Sequence, residues 1–508
     1  MEIFYPKTLL LRFFLKKGIL GGLIINTMEP HYKIPREFKI RFFSRFIEFL
    51  KNKFAHSTKK AEEATSPSEK WQKILNYLYK KDIITKPEFE IEKIFSDNPK
   101  FYSLRITTSS IEGKTDGNTN LLVGGSYSRG VSTDFSEAMS KVIGELLERY
   151  PLTIYKNKEL LRGSIGSLKK TSSSFLDPRI TSYFNSWQKE KFAMRNFDEN
   201  STFQWAKGIS LMSQKTAYIP AQFVFWNYKR AENEPFIGKT TTNGEGGMFT
   251  YEEAVLSGLY ELIQRDSFLI HWLNKIPPPK LNLNKVKSPE LKSLLQNCTE
   301  HKFDIVALDT TTDLCIPSCV VAILDSKNDD ASITIGGGCG LDQEKNILRA
   351  LTECLGIREW VRGKYQSNFN PIIRKNYKPF LEEVGQIQRV KLWGNKKMRQ
   401  YFDFFLKGKI IEIKNITPQF ESPTEELDYV ISIFKKLGPE YEIFVYEAKH
   451  KILDELGYHS VSVCVPALIP LYMDERNIPL GSKRIKDAIV KMGYAPPAEL
   501  NTLPHPFP

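Results

Sequence analysis

TTNGEGGMFTYEEAVLSGLYELIQRD, residues 241–266, sets a glycine-rich run, a capping threonine and a helix-forming segment in direct succession. Gly246 stands fifteen residues, and Thr250 eleven residues, before Glu261. The same offsets recur twice. Gly130 and Asp134 precede Glu145 at these distances, and Gly338 and Asp342 precede Glu353. Threonine and aspartate suit an N-cap, because their side-chain oxygen satisfies an N–H that has no intrahelical partner. The first two copies match further: Glu137-Ala138 with Glu253-Ala254, Glu145-Leu146 with Glu261-Leu262, and Arg149 with Arg265. Copies spaced by 116 and 92 residues are not a solenoid. They predict glycine-loop–helix units repeated inside one body.

Outward from these units, apolar periodicity predicts helices near 136–150, 252–274, 288–297, 344–362 and 424–437. Strands are expected at 120–125, 304–308, 319–324 and 331–335. The mixture gives a large α/β (α+β mixed) body over residues 71–508. Residues 56–70 read as a polar linker and 1–55 as a small basic segment. In that segment Phe38, Phe42, Phe46 and Phe49 share one helical face, which suits packing on the body or docking a partner. Met28 is a second candidate start. The end, Leu503-Pro504-His505-Pro506-Phe507-Pro508, alternates prolines and is therefore pre-extended.

Composition excludes several classes. The net charge is +13, but thirteen Lys/Arg and four Glu in residues 1–60 supply +9 of it, leaving +4 for the rest. The body therefore lacks a nucleic-acid signature. The N-terminal apolar runs Leu9–Leu11 and Gly18–Ile25 fall short of the ~20 residues of a membrane span, and no cleavage site follows them. Six scattered cysteines, with only a C-x3-C at Cys315 and Cys319, read as reduced core thiols and not a zinc site. A cytoplasmic protein is expected.

The repeated units carry the chemistry. Glu145 and Glu148, three apart on a helix, share a face with Arg149 beside them. The second helix offers Glu261, Gln264 and Arg265, and the third Arg349, Glu353 and Arg358. Magnesium takes one or two carboxylates plus phosphate and water oxygens, and arginines grip phosphates in bidentate fashion. A magnesium–polyphosphate site is the expectation. No G-x-x-x-x-G-K-[ST] occurs, so this is not a P-loop enzyme.

GELLERY (144–150), the 241–266 run, GGGCGLDQEKNILRALTE (336–353), VPALIPLYMDERNIPLGSKRI (465–485) and the PHPFP end together resemble the YcaO superfamily. The resemblance covers residues 70 to 508. It implies ATP and Mg2+ as cofactors, with metal-binding acids at Glu145, Glu148, Glu261 and Glu353, and Gln264 where the family commonly has Glu. It places ATP-binding residues at Arg129, Arg149, Asn243, Arg265, Arg349 and Arg358. Two further departures are Ser128-Arg129-Gly130 in the family's lysine loop and Gly356 in place of a frequent Gln. A P-x-P-x-P end is typical of azoline-forming cyclodehydratases, and so implies a catalytic place for Pro508. Such an enzyme phosphorylates a backbone amide oxygen of a ribosomal precursor peptide, so that Cys, Ser or Thr cyclises to thiazoline or oxazoline, as in bacteriocin maturation. The implied partners are that precursor, a leader-binding protein resembling a ubiquitin-activating enzyme, a flavin dehydrogenase for later oxidation, and a second copy in a homodimer. The alternatives are a thioamide-forming YcaO enzyme and a non-catalytic scaffold subunit, which Gln264 would mark.

Overall fold

The computed structural model describes residues 67–508 except 93, 95, 120–126, 172–173, 182, 239–240, 328–330, 365–376 and 414–419. The N-terminal phenylalanine helix, most of the linker and the 120–125 strand expectation lie outside the described residues. The chain divides into two units, Met1–Lys81 with Lys86–Glu88, and Asp82–Thr85 with Phe89–Pro508. The first shows helix α1 (Pro67–Lys80), whose Trp71, Ile74, Leu75 and Leu78 recur at helical spacing.

The second unit holds three sheets. In the first, β1 (Glu90–Ile91), β2 (Tyr102–Thr107) and β3 (Tyr127–Ser132) run in that order. A five-stranded sheet contains β9 (Lys280–Leu281), β10 (Asp304–Asp309), β11 (Ser318–Leu324), β12 (Ile333–Cys339) and β13 (Ile410–Ile411), ordered β12-β11-β10-β9-β13. The largest sheet is ordered β5-β7-β6-β14-β15-β8, with β4 also on β6. Its strands are β4 (Leu161–Ser164), β5 (Ser174–Phe175), β6 (Thr202–Ser210), β7 (Lys215–Pro220), β8 (Glu245–Met248), β14 (Phe444–Glu447) and β15 (His459–Cys464).

The three repeats are the three sheet edges. β3, β8 and β12 each end a sheet, and each is followed by a long helix: α2 (Phe135–Leu152), α3 (Tyr251–Leu273) and α4 (Gln343–Lys364). The expected caps form. Asp134 accepts from Glu137 N–H at 2.8 Å, Thr250 from Glu253 N–H at 3.3 Å, and Asp342 from Glu344 N–H at 3.1 Å. The glycines, read from sequence as loop residues, lie within the strands instead. Gly130, Gly246 and Gly338 sit where a Cβ would fall 2.0, 2.1 and 2.2 Å from the carbonyl oxygens of Ala138, Ala254 and Asn346, each eight residues on. Only glycine allows helix and strand to approach this closely.

Each helix also packs on the next unit's edge strand: α2 on β8, α3 on β12 and α4 on β3. The units thus close a three-membered ring. Apolar cores back it, one of them built on Phe268, Trp272, Trp393, Phe402 and Phe405. All six cysteines are free, and among the described residues no helix is long and apolar enough to cross a membrane.

Candidate active site

The ring brings the three equivalent glutamates to equivalent places. Each carboxylate accepts a backbone N–H from its own unit's strand or the residue just before it: Glu145 from Arg129, Glu261 Oε2 from Gly244 at 2.8 Å, and Glu353 Oε2 from Gly337 at 2.7 Å. The opposite oxygen meets an arginine one helical turn on. Arg149 Nη1 lies 2.6 Å from Glu145 Oε1, and Arg265 Nη2 lies 2.5 Å from Glu261 Oε1. The third unit has Ile357 at that position, so Glu353 lacks this arginine. Asn243 holds Arg265 from the far side, its Oδ1 accepting from Nη1 at 2.7 Å, while its own amide donates to Leu471 O at 2.8 Å.

The residue three places after each glutamate forms the junction between units. Glu148 covers Gly247 of β8 and accepts its N–H; a Cβ on Gly247 would lie 2.7 Å from Glu148 Cβ. Gln264 lies flat on Gly337 of β12, and Gly356 lies on Val131 of β3. Glu148, Gln264 and Gly356, which differ from unit to unit, therefore occupy one equivalent structural position. Glycine there lets Arg129 Nη1 reach Gly356 O at 2.7 Å, and Arg129 is held further by Glu92 at 2.7 Å.

Sequence reasoning missed Glu245. It is almost fully buried in β8, and both its carboxylate oxygens lack a hydrogen-bond partner in the protein. Burial pushes its pKa far up, Glu148 and Glu261 add to the shift, and Arg149 and Arg265 oppose it. Burial likewise lifts Glu148 to about 8, against the pull of Arg149 and with the help of Glu261 and Glu145. Glu353 rises to about 7, chiefly from the protein around it, although the side chain keeps a face open to water. Glu145 is raised for the same first reason. Five carboxylates thus share two guanidiniums, and the surplus negative charge calls for protons or a cation.

Two sequence-selected arginines stand elsewhere. Arg358 is fully buried, pairs with Asp325 at 2.6 Å, bonds Asn98 and stacks 4.6 Å over Phe303; the structure does not bring it to the cluster. Arg349 is exposed, one turn before Glu353, and its charge is felt by Glu137 and Tyr260. Pro508 is half-buried at the end of a tail whose carbonyls accept from Trp393 Nε1 (Pro504 O, 2.9 Å) and Arg389 Nε (Phe507 O, 3.3 Å). His505 bonds Tyr472 O at 2.8 Å. Its pKa is held far down by burial, then by Arg389 and, more weakly, Arg265, so the tail borders the cluster on the Arg265 side.

A family model described as YcaO cyclodehydratase, ATP- and Mg2+-binding, matches residues 129–469, which include every one of these glutamates. The chain belongs to the YcaO family. ATP and Mg2+ are accordingly the cofactors. An uncharacterized protein of Methanothermobacter thermautotrophicus is 28% identical over 31% of this chain and 41% of its own length. An uncharacterized protein from the tfuA 3' region of Rhizobium leguminosarum bv. trifolii is 25% identical over 39% and 48%. The chain therefore spans less than half of these curated relatives. Among solved structures, a heterocyclase in complex with substrate and cofactor has the same fold, with TM-score 0.67, 21% identity and coverage of 88% of this chain and 58% of that one. YcaO from Methanopyrus kandleri bound with AMPPCP and Mg2+ gives TM-score 0.58 and 18% identity, covering 82% and 95%.

The YcaO cluster fits such a cofactor. Magnesium is a hard cation that takes carboxylate oxygens and keeps phosphate and water oxygens in its shell. Glu245's two unpartnered oxygens and the lifted Glu148 supply that donor chemistry. Among the described residues no three His, Cys, Asp or Glu side chains converge as a ready-made cage.

Proposed function

We propose that this chain is an ATP-dependent cyclodehydratase that activates a backbone amide of a ribosomal precursor peptide, closing Cys, Ser or Thr onto it as thiazoline or oxazoline. The observation that carries the reading is the single cluster that joins Glu145, Glu148, Glu245, Glu261 and Glu353 with Arg149 and Arg265. Bound Mg·ATP supplies a phosphoryl group that turns a poor leaving group, the amide oxygen, into phosphate. Each magnesium would take one or two carboxylates from among Glu145, Glu148, Glu245, Glu261 and Glu353, with phosphate and water oxygens completing its shell, and Gln264 would add a neutral amide oxygen. Arg149 and Arg265 would hold phosphate oxygens, Arg265 kept in place by Asn243 and Glu261. Backbone N–H groups fix Glu145, Glu148, Glu261 and Glu353 before ligand arrives, so little reorganisation of these four is needed on binding.

In this reading Arg129 positions β3 against α4, Arg349 and Arg358 act away from the phosphates, and Pro508 closes the Arg265 side. A separate leader-binding protein would deliver the precursor. The structural likeness to the E. coli microcin synthetase McbBCD complex (TM-score 0.50, 14% identity) concerns the fold. The test is to incubate the chain, with that partner, Mg·ATP and a cysteine-bearing peptide labelled with 18O at the preceding amide. Loss of one water, with label recovered in phosphate, is expected. Exchange of oxygen for sulfur in the presence of sulfide would instead mean thioamide formation. Unchanged peptide with intact ATP binding would mean a scaffold.

A further inference from the structure

A cleft of about 580 Å3 lies apart from the carboxylate cluster, walled by residues 192–195, 230–231, 233–236, 474 and 476–477. Arg195, Arg230 and Arg476 line it beside Phe192, Met194 and Phe236. Its two acids are already engaged. Asp474 is paired with Arg476 at 2.6 Å, and Glu234 accepts from the Tyr228 hydroxyl at 2.7 Å, Ala231 N–H at 2.9 Å and Gln222 at 3.1 Å. Arg195 and Arg230 differ. Among the described residues, Arg195 reaches only the backbone and side-chain oxygens of Asn233, both at 3.3 Å. Arg230 reaches, among the same residues, only Glu234 O at 3.2 Å and the face of Phe236 at 5.3 Å. Both are exposed. Guanidiniums bound to neutral acceptors keep donors for a carboxylate.

Asn477 lines this cleft and also a second, narrower pocket of about 80 Å3. Tyr183, Phe223, Leu468 and Tyr472 make that pocket apolar, and Asn243, which holds Arg265 in the cluster, forms part of its wall. A dry cavity of about 150 Å3 accommodates benzene, so this one takes a side chain no larger than Cys, Ser, Thr or Val. The hydroxyl of Tyr472, a residue 5% exposed, has no hydrogen-bond partner.

We infer that cleft and pocket form one channel for the peptide substrate, in which an acidic residue of the peptide pairs with Arg195 and Arg230 and the residue to be cyclised enters the pocket beside Asn243. This rests on the cyclodehydratase reading. The Tyr472 hydroxyl then donates to a peptide carbonyl, and the channel leads from a charged entrance to the phosphate-binding arginine.

The experiment is fluorescence anisotropy of the full chain, without nucleotide, with a short labelled peptide that carries one cysteine and a pair of aspartates. The same peptide with asparagines in place of the aspartates is the comparison. The aspartate peptide should bind about tenfold tighter, and salt should erase the difference. R195E/R230E should lose that preference, and a lysine peptide should bind the variant better than it binds the wild type. Mg·ATP binding by the variant should match the wild type, since both arginines are exposed and their bonds go to Asn233, Glu234 and Phe236, none of which belongs to the cluster. Equal affinity for both peptides, including binding of neither, overturns the inference, as does a double variant that behaves like the wild type. The readout needs no turnover, so absence of cyclisation alone would overturn the catalytic reading and leave the acidic preference standing.

Discussion

Substitution of Gly246 by alanine tests whether the site is assembled by helix–strand contact. The new Cβ would lie 2.1 Å from Ala254 O and 2.8 Å from Gly258 N, where ordinary contact begins near 3.4 Å. β8 and α3 must therefore part by about 1.3 Å, and a close-packed interior resists that. Overpacking of this kind costs about 1–3 kcal/mol. It also moves the Gly244 N–H away from Glu261 Oε2, a bond of 2.8 Å that fixes the carboxylate and, through it, Arg265. A displacement of ~1 Å at a reacting centre can lower turnover about a hundredfold. The control is Gly144→Ala on α2, where the new Cβ meets only Tyr458 Oη at 3.4 Å and the helix gains about 0.5–1 kcal/mol. Thermal melting and Mg·ATP calorimetry on both variants decide. Gly246→Ala should melt a few degrees lower and bind nucleotide poorly, while Gly144→Ala should match or exceed the wild type. Wild-type melting and affinity in Gly246→Ala would refute the reasoning.

Four further outcomes follow. Glu148, lifted to about 8, is about nine-tenths protonated at pH 7, and metal binding requires the carboxylate, so Mg·ATP should displace about one proton from it, beside those released by Glu245 and Glu353; calorimetry in buffers of different ionisation enthalpy measures the total, and Glu148→Gln should lower it by about one. The raised pKa means that the nucleotide-free fold binds this proton more tightly than the unfolded chain does. Glu148 therefore takes stability away as pH climbs from about 4.5 to about 8, and saturating Mg·ATP should flatten that decline in a melting series. Arg484→Met would strand Asp266, which is buried 2.7 Å from the guanidinium; a loss of about 3–5 kcal/mol in denaturant unfolding is expected, well beyond any surface ion pair. Removal of Pro506–Pro508 should cut cyclisation more than Mg·ATP affinity, whereas equal loss of both would make the tail a packing element only.

The offsets of fifteen and eleven residues were legible because each is set locally, by a strand, a capped turn and a helix whose glycine admits a carbonyl. Helix positions were legible for the same reason: 251–273 and 343–364 carry their own caps and periodicity. Glu245 was not. It lies on a strand, has no repeated partner, and matters only because α2 of a neighbouring unit lays Glu148 beside it. Arg358 illustrates the reverse. Helical phase places it one residue past the Arg149 and Arg265 positions, and that single step turns it into a buried pair with Asp325. Nor does a linear repeat reveal that β3, β8 and β12 are all sheet edges, since edge status depends on strands far away in sequence.

The most direct measurement is calorimetric titration of Mg·ATP into the wild-type chain, Glu145→Gln and Glu261→Gln, variants that keep side-chain size while removing charge. If the three-unit cluster is the nucleotide site, the wild type binds and both variants lose affinity by about tenfold or more without a drop in melting temperature. Wild-type affinity in both variants would contradict the account and place the nucleotide elsewhere in the fold.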